Sequence, residues 1–331
     1  MPITLAQAGV NTVNAIDFAV IDDFRRNSWF MDNIPFDDTA VPGTGAGTLG
    51  YSYVRKLTGS TAAPRAYNTE FVPGKATRQK YSVSLIPIGA SFEVDRDLAD
   101  LGPAGSNEVS FQMADAMVAT RERFVREFLY GDVATDVNTF DGLSKSLTGA
   151  STELTTATNW VTVATQVAAL QELDKFNIWL SKIVPSNIGG ATPGQPGGIP
   201  PGVKALLFNT VSFTQFVRLA RWANMLTTTK DNFDQDIDTY RGYRLIDLGD
   251  RADGALPLIP IVANVTEVFA VSLGLDAVHA ASVAGKQLVK TYMPDFTTAG
   301  AVKTGEVQIG PVTFVLRSTR AAGVYRNITV Q

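Results

Sequence analysis

His279 is the only histidine, and cysteine is absent. Histidine-based triads, multi-histidine metal sites, thiolate ligands, cysteine nucleophiles and disulfides are therefore excluded or sharply restricted. His279 stands in Ala277-Val278-His279-Ala280-Ala281 with no neighbouring acid, which favours a structural histidine over a catalytic one. The acids Asp231, Asp234, Asp236 and Asp238 are spaced somewhat like a calcium loop. The obligatory glycine and closing glutamate are missing, so a solvated turn is expected. Gly43-Thr44-Gly45-Ala46-Gly47 has no helix pattern after it and no Gly-Lys-Ser/Thr ending, so it is not a phosphate loop. No serine sits in a Gly-x-Ser-x-Gly elbow. Glu93, Asp95 and Asp97 fall on one face of an extended segment and read as partners for basic groups rather than an acid–base pair. No catalytic residue, cofactor or metal is expected, and the chain does not read as an enzyme.

The chemistry that remains is that of surfaces. Between positions 51 and 80 stand Arg55, Lys56, Arg65, Lys75, Arg78 and Lys80 against one acid, Glu70. That is a local +5; the whole chain carries −4, so the rest must sum to −9. A basic segment on an acidic body suggests docking onto an acidic surface, with self-association and nucleic acid both open as targets. Only 18% of residues are charged, where about 25% is usual for a soluble protein. Either a large internal core or burial against copies of itself accounts for that.

The basic segment belongs to an extended hairpin. Leu49, Tyr51, Tyr53 and Arg55 alternate onto one face of a strand, a polar tip spans 58–64, a run carries Tyr67 and Phe71, and another passes through Tyr81, Val83, Leu85 and Pro87. This ribbon has little core of its own. Residues 1–40 precede it as an arm, with Ile16, Val20, Ile21 and Phe24 at helical spacing. Trp29, Phe30, Ile34 and Phe36 close the arm. They form either a loop tucked into the chain's own core or an anchor on a neighbouring subunit.

Ser106 can cap a helix running to about Tyr130 and stopped by Gly131. Its stripe is Val109, Met113, Met117, Thr120, Phe124 and Phe128, and its length is on the order of 37 Å. A second helix is expected from about Trp160 to Val184, striped by Val163, Val167, Leu170, Leu173 and Phe176. Residues 185–202 hold five prolines and six glycines and form a turn-rich loop. An α/β unit follows: a strand over Ala205–Phe208, a helix opened by Ser212, a polar stretch over 227–240, and strands at Tyr243–Leu248, Leu258–Val262 and Val268–Leu273. Extended runs over 286–293, 306–317 and 322–330 end the chain. No 18-residue apolar window exists, and Leu256–Leu275 is broken by Pro257, Pro260, Asn264 and Glu267, so no membrane span is expected.

The order of arm, extended loop, long helix and mixed domain resembles the major capsid proteins of tailed bacteriophages. The resemblance implies an α+β class with the HK97-like capsid fold. It assigns an N-terminal arm to 1–44, the extended loop to 45–90, a peripheral domain with a spine helix at 106–131 to 91–184, an axial α/β domain to 185–285, and returning peripheral strands to 286–331. The segment Tyr240–Asp247 resembles a strand that follows an axial helix in such proteins.

The implied function is a homo-oligomer of hexamers and pentamers closing an icosahedral phage head around double-stranded DNA. The expected place is the virion, after synthesis in a bacterial host's cytoplasm. Portal, scaffolding and decoration proteins are the implied partners, and DNA is met non-specifically on the inner face. If Met1 is the true start, no scaffolding segment is fused, and a separate scaffolding protein or none is expected. A Lys–Asn crosslink through Lys56, Lys75 or Lys80 is not expected, because no glutamate aligns with the catalytic one.

The expected subunit interface sets Tyr51, Tyr53, Arg55, Lys56, Arg65, Tyr67, Phe71, Lys75, Arg78 and Lys80 against Glu93, Asp95 and Asp97 of a neighbour, with Trp29 and Phe30 as arm anchors. An encapsulin-like nanocompartment shell is the alternative. An enzyme built on 203–285 is a distant third reading.

Overall fold

The computed structural model describes residues 28–40, 49–100, 108–183, 202–230, 236–252, 254 and 256–331. The arm before Ser28, the glycine run 43–47, the Ser106 cap and the loop 185–201 lie outside them. The first described elements are α1 (Trp29–Asn33), β1 (Phe36–Ala40), β2 (Gly50–Thr58), β3 (Thr77–Ser84) and β4 (Ile86–Asp95). Next come α2 (Arg96–Ala99), α3 (Glu108–Tyr130), α4 (Leu143–Leu147), β5 (Glu153–Leu154), β6 (Thr158–Asn159) and α5 (Gln166–Ile183). The third part holds β7 (Val203–Phe208), α6 (Thr210–Trp222), β8 (Thr227–Lys230), β9 (Asp236–Tyr240) and β10 (Tyr243–Asp247). It ends with β11 (Val265–Leu273), β12 (Val278–Val283), β13 (Val289–Tyr292), β14 (Val302–Leu316) and β15 (Ala322–Thr329).

Thirteen of these strands form one sheet, with β13-β14-β12-β11-β7-β10-β9-β8 as its path and β1, β4, β5, β6 and β15 attached. At its centre both faces are covered, which is why β7 and β11 read as apolar runs without alternation. On one face Leu207, Phe269 and Val271 pack with Phe124 and Phe128 of α3. On the other, Leu206, Phe208, Val268 and Ala270 pack with Leu173 and Phe176 of α5 and Phe216 of α6. Asn209 caps α6 through a reciprocal bond with Ser212, which lies inside the helix rather than opening it.

Towards β4, β13 and the first half of β14 only one face is covered, and the strands alternate accordingly. Phe92, Val94 and Val307 lie under Ala116, Met113 and Met117 of α3. Gly305 has no room for a side chain there, since a Cβ would stand 2.4 Å from the Phe92 ring.

Several expectations need correction. Phe30 is fully buried and meets the Phe128 ring edge-on at 4.8 Å, so it anchors α1 to the chain's own spine helix and offers nothing to a neighbour. Trp29 is half-buried against the same core. The second long helix starts at Gln166 because Asn159 caps a turn over Val161 and Thr162, and Thr165 makes the helical cap instead. That shifts its inward face to Ala169, Leu173, Phe176, Trp179 and Leu180, leaving Val167 and Leu170 exposed. Between the two long helices, a stretch rich in serine, threonine, alanine and glycine forms α4, β5 and β6. Leu258–Val262 makes only one isolated bridge, Val262 to Val265, whereas the stretch 227–240 contains the β8–β9 pair.

The fragment around His279 is strand β12, paired with β14 and β1. The extended hairpin ends at Ser84 rather than 90, because β4 already belongs to the main sheet. The expected boundary at 285 does not interrupt that sheet, since β12 pairs with β14 and β11 with β15.

Phe30→Ala should lower stability by about 3–5 kcal/mol, the usual cost of a truncated core phenylalanine. Urea denaturation measures it, and an unchanged midpoint would remove Phe30 from the core.

Candidate functional site

β2 and β3 pair only with each other, in antiparallel register from Gly50↔Ser84 to Thr58↔Thr77. Eight paired positions at about 3.3 Å carry the ribbon some 26 Å from its root. Tip residues 59–76 extend it further without regular structure, so the expected run through Tyr67 and Phe71 is not a strand. Tyr67 is 97% exposed, Val72 84% and Phe71 65%. Arg65 lies over the Phe71 ring at 5.2 Å and donates to the Thr69 carbonyl at 2.9 Å. Lys75, Arg78 and Lys80 are exposed. Val72 belongs with these tip residues and was readable as an apolar residue in a polar tip.

The root is built differently. Tyr53 stacks on Tyr81 at 5.6 Å, and the Arg55 guanidinium sits 4.3 Å from the Tyr81 ring while donating to the Leu316 carbonyl at 2.7 Å. Tyr51 and Leu85 are buried with Ala281, Val283 and Val315. The Tyr51 hydroxyl donates to Asp37 Oδ2 at 2.8 Å and accepts from Arg317 Nη2 at 3.1 Å. Arg317 also pairs with Asp276 at 3.1 Å. Burial raises the Tyr51 and Tyr53 hydroxyls above the ordinary tyrosine range, so both stay neutral, Tyr51 donating to Asp37 and Tyr53 accepting from Arg55 Nη2 at 3.4 Å.

Tyr51, buried, and Arg55, half-buried, thus fasten the ribbon to its own body. Tyr53 stands with them. For Lys56 the structure gives only the backbone register, opposite Arg78. Asp37, Asp276 and Arg317 complete the fastening, and nothing in the sequence marks residues 14 and 266 positions from Tyr51 as its partners.

Beneath this fastening lies His279, fully buried, with its Nε2 3.9 Å from Asp37 Oδ2 and its ring edge-on to Tyr51 at 6.3 Å. Among the described residues neither ring nitrogen has a hydrogen-bond partner. Desolvation, reinforced by Arg317, lowers its pKa to about 4 against the weaker pull of Asp37 and Asp276. The histidine is neutral at physiological pH and fills space under the hairpin root.

The acids expected to receive the basic hairpin lie on the main body. Glu93 is exposed on β4 and Asp95 is half-exposed at its end. Asp95 caps α2 by accepting from the Asp97 amide at 2.9 Å, so Asp97 stands in a helical turn and not on the strand face. No described ion pair within the chain joins these acids to the hairpin. Among the described residues no group of three or more histidines or acids could hold a metal ion. No described helix is long and apolar enough to cross a membrane.

No protein-family model and no curated protein sequence matches the chain. Solved structures do. The holo-SrpI encapsulin complex of Synechococcus elongatus PCC 7942 matches at a TM-score of 0.56 and 12% identity, over 92% of this chain and 89% of that one. The capsid of Myoviridae phage XM1 matches at 0.54 and 9% identity, over 90% and 91%. A structure from Mycobacterium phage Adephagia matches at 0.53 and 12% identity, over 99% of both chains. The chain therefore has the α+β, HK97-like capsid fold.

Because the folded chain refuses a proton that the unfolded chain accepts, His279 should cost stability as pH falls from 6.5 towards about 4. The shift corresponds to about 3 kcal/mol. Urea denaturation across that window should show the parent losing more stability than His279→Leu, which has no proton to take up. Parallel curves would contradict a neutral, buried His279.

Proposed function

We propose that this chain is the major capsid protein of a tailed bacteriophage, assembling into hexamers and pentamers that close an icosahedral head around double-stranded DNA. The observation that carries the reading is the ribbon of β2 and β3. It leaves the body with exposed tyrosine, phenylalanine and valine at its tip and exposed cations along its length. A monomer gains nothing from holding such a surface in water, whereas a ring of copies can cover each ribbon with the next subunit. Each exposed ion pair contributes only about 0–1 kcal/mol, but a closed shell repeats the contact many times. The match to the phage XM1 capsid over nine-tenths of both chains supports the same reading.

Portal, scaffolding and decoration proteins are proposed partners on the same footing. DNA would meet the inner face through backbone charge rather than base readout. The protein would act as architecture, without a reaction to catalyse. The virion is the proposed location.

A nanocompartment shell is the second reading, favoured by the match to the SrpI encapsulin complex. The two differ in contents. Genes for portal, terminase and tail proteins beside the coding sequence support the phage head. A peroxidase or ferritin-like neighbour supports the compartment.

Electron microscopy of the expressed protein should show closed shells. Replacing residues 59–76 with a short Gly-Ser turn should leave folded subunits and reduce shell yield at least about tenfold, through loss of many repeated contacts. A soluble monomer from the parent chain would defeat the shell reading. Full yield from the shortened chain would defeat the role given to the hairpin.

A further inference from the structure

A groove of about 740 Å³ lies between the spine helix α3, the amino end of α1 and the chain that follows β10. One wall is α3, through Asp115, Val118, Arg121, Glu122 and Val125. The facing wall is the end of β10 and the turn beyond it, from Ile246 to Ala252. That turn is closed by the Leu258 amide on the Gly249 carbonyl at 3.0 Å and the Arg251 amide on the Leu256 carbonyl at 2.8 Å. It is tied to α3 where the Ala252 amide donates to Glu122 Oε2 at 2.8 Å. The two walls are thus held at a set spacing.

The lining has an apolar floor and a charged rim. Val125 and Leu258 are buried, with Val118, Ile246 and Leu248 half-buried beside them. Asp115, Asp247 and Asp250 are exposed and Glu122 is half-buried, against the two cations Arg121 and Arg251. Four acids and two bases leave a balance of −2. Among the described residues neither arginine is paired with a carboxylate. Arg121 Nη2 meets the Met117 sulfur at 3.8 Å, and Arg251 Nε is buried without a hydrogen-bond partner. A buried donor left unmet costs free energy, and an acceptor entering the groove would remove that cost.

The chain supplies a segment of the matching kind at the lip. Ser28 and Trp29 both line the groove, and Ser28 is the extended residue that caps α1. Consecutive Cα atoms are about 3.8 Å apart, so the four residues before Ser28 reach at most about 14 Å from it. The sequence ahead of Ser28 is Asp23-Phe24-Arg25-Arg26-Asn27. It offers an aromatic ring for the floor, two cations for the acids of the rim, and carboxylate and carbonyl acceptors for Arg251.

We propose that residues 23–27 seat in this groove of their own chain. Phe24 covers Val118 and Leu248, Arg25 and Arg26 face Asp115, Asp247 and Asp250, and an acceptor of the segment meets Arg251 Nε. The seat needs no second subunit, so it is independent of the shell reading. An arm held in this way leaves the body from one fixed point on α3 instead of swinging from the end of α1.

Because the chain has no cysteine, an introduced disulfide reports the seat. Phe24→Cys with Val118→Cys, oxidised in the full chain, should form an intrachain bridge, seen as a mobility change on non-reducing gels and as a linked peptide pair by mass spectrometry. Arg123 is exposed on α3 and does not line the groove. Phe24→Cys with Arg123→Cys should therefore bridge at least about tenfold more slowly, since the seat raises the local concentration only at Val118. Trypsin gives a readout that leaves the floor untouched. Cleavage after Arg25 and Arg26 should be at least about tenfold slower in the parent than in the Asp115→Lys, Asp250→Lys chain, because cutting follows the population of the open segment. Both acids are exposed, so the urea midpoint of that variant should stay near the parent's.

Equal rates for the two cysteine pairs, or equal cleavage of the parent and the charge-reversed chain, would overturn the seat. A bridge between chains in place of the intrachain one would also overturn it, by placing the segment on another copy.

Discussion

Towards its tip the ribbon of β2 and β3 has water on both faces, and two strands alone are marginal in water. Its persistence as an ordered arm depends on the fastening at its root. Tyr51 bridges Asp37 and Arg317, Arg55 holds the Leu316 carbonyl and the Tyr81 ring, and His279 supports Tyr51 from below. These contacts tie the ribbon to β1, β12 and β14 at once. Each polar contact contributes on the order of 1 kcal/mol, and together they fix the direction in which the hairpin leaves the body. A subunit that must reach a neighbour at a constant angle needs that direction set before the neighbour arrives.

The same constraint accounts for the uneven covering of the large sheet. Where helices lie on both sides, the central residues of β7 and β11, Ala205–Phe208 and Val268–Val271, are apolar without alternation. Where α3 covers one side, β4 and the first half of β14 alternate. Charges on the ribbon serve a further purpose. Arg78 and Lys80 on β3 discourage the free ribbon from pairing indiscriminately with other strand edges, as charged side chains do on edge strands generally. Assembly can then be specific although the exposed surface is large.

Much of this was legible in the residues. The stripe from Val109 to Phe128, stopped by Gly131, marked the spine helix, and the alternation of Tyr51, Tyr53 and Arg55 marked the ribbon. Local pattern failed where a distant partner decided the outcome. Phe30 looked free to anchor elsewhere because nothing nearby announced Phe128 as its contact. Arg55 looked like one more exposed cation until the carbonyl of Leu316, 261 positions away, took its guanidinium. The helix expected at Trp160 begins at Gln166, capped by Thr165, while Trp160 ahead of it packs with Phe176 and Phe216. β12 escaped notice because Val278–Val283 is flanked by small residues and gains its identity from pairing with β14 and β1.

Amide hydrogen exchange across residues 50–84, compared between assembled shells and free subunits, bears most directly on the claim that sister copies cover the hairpin. Amides of the tip should exchange rapidly in the free subunit and become strongly protected in the shell, while those at the root stay protected in both. Equal exchange of the tip in the two states would contradict it.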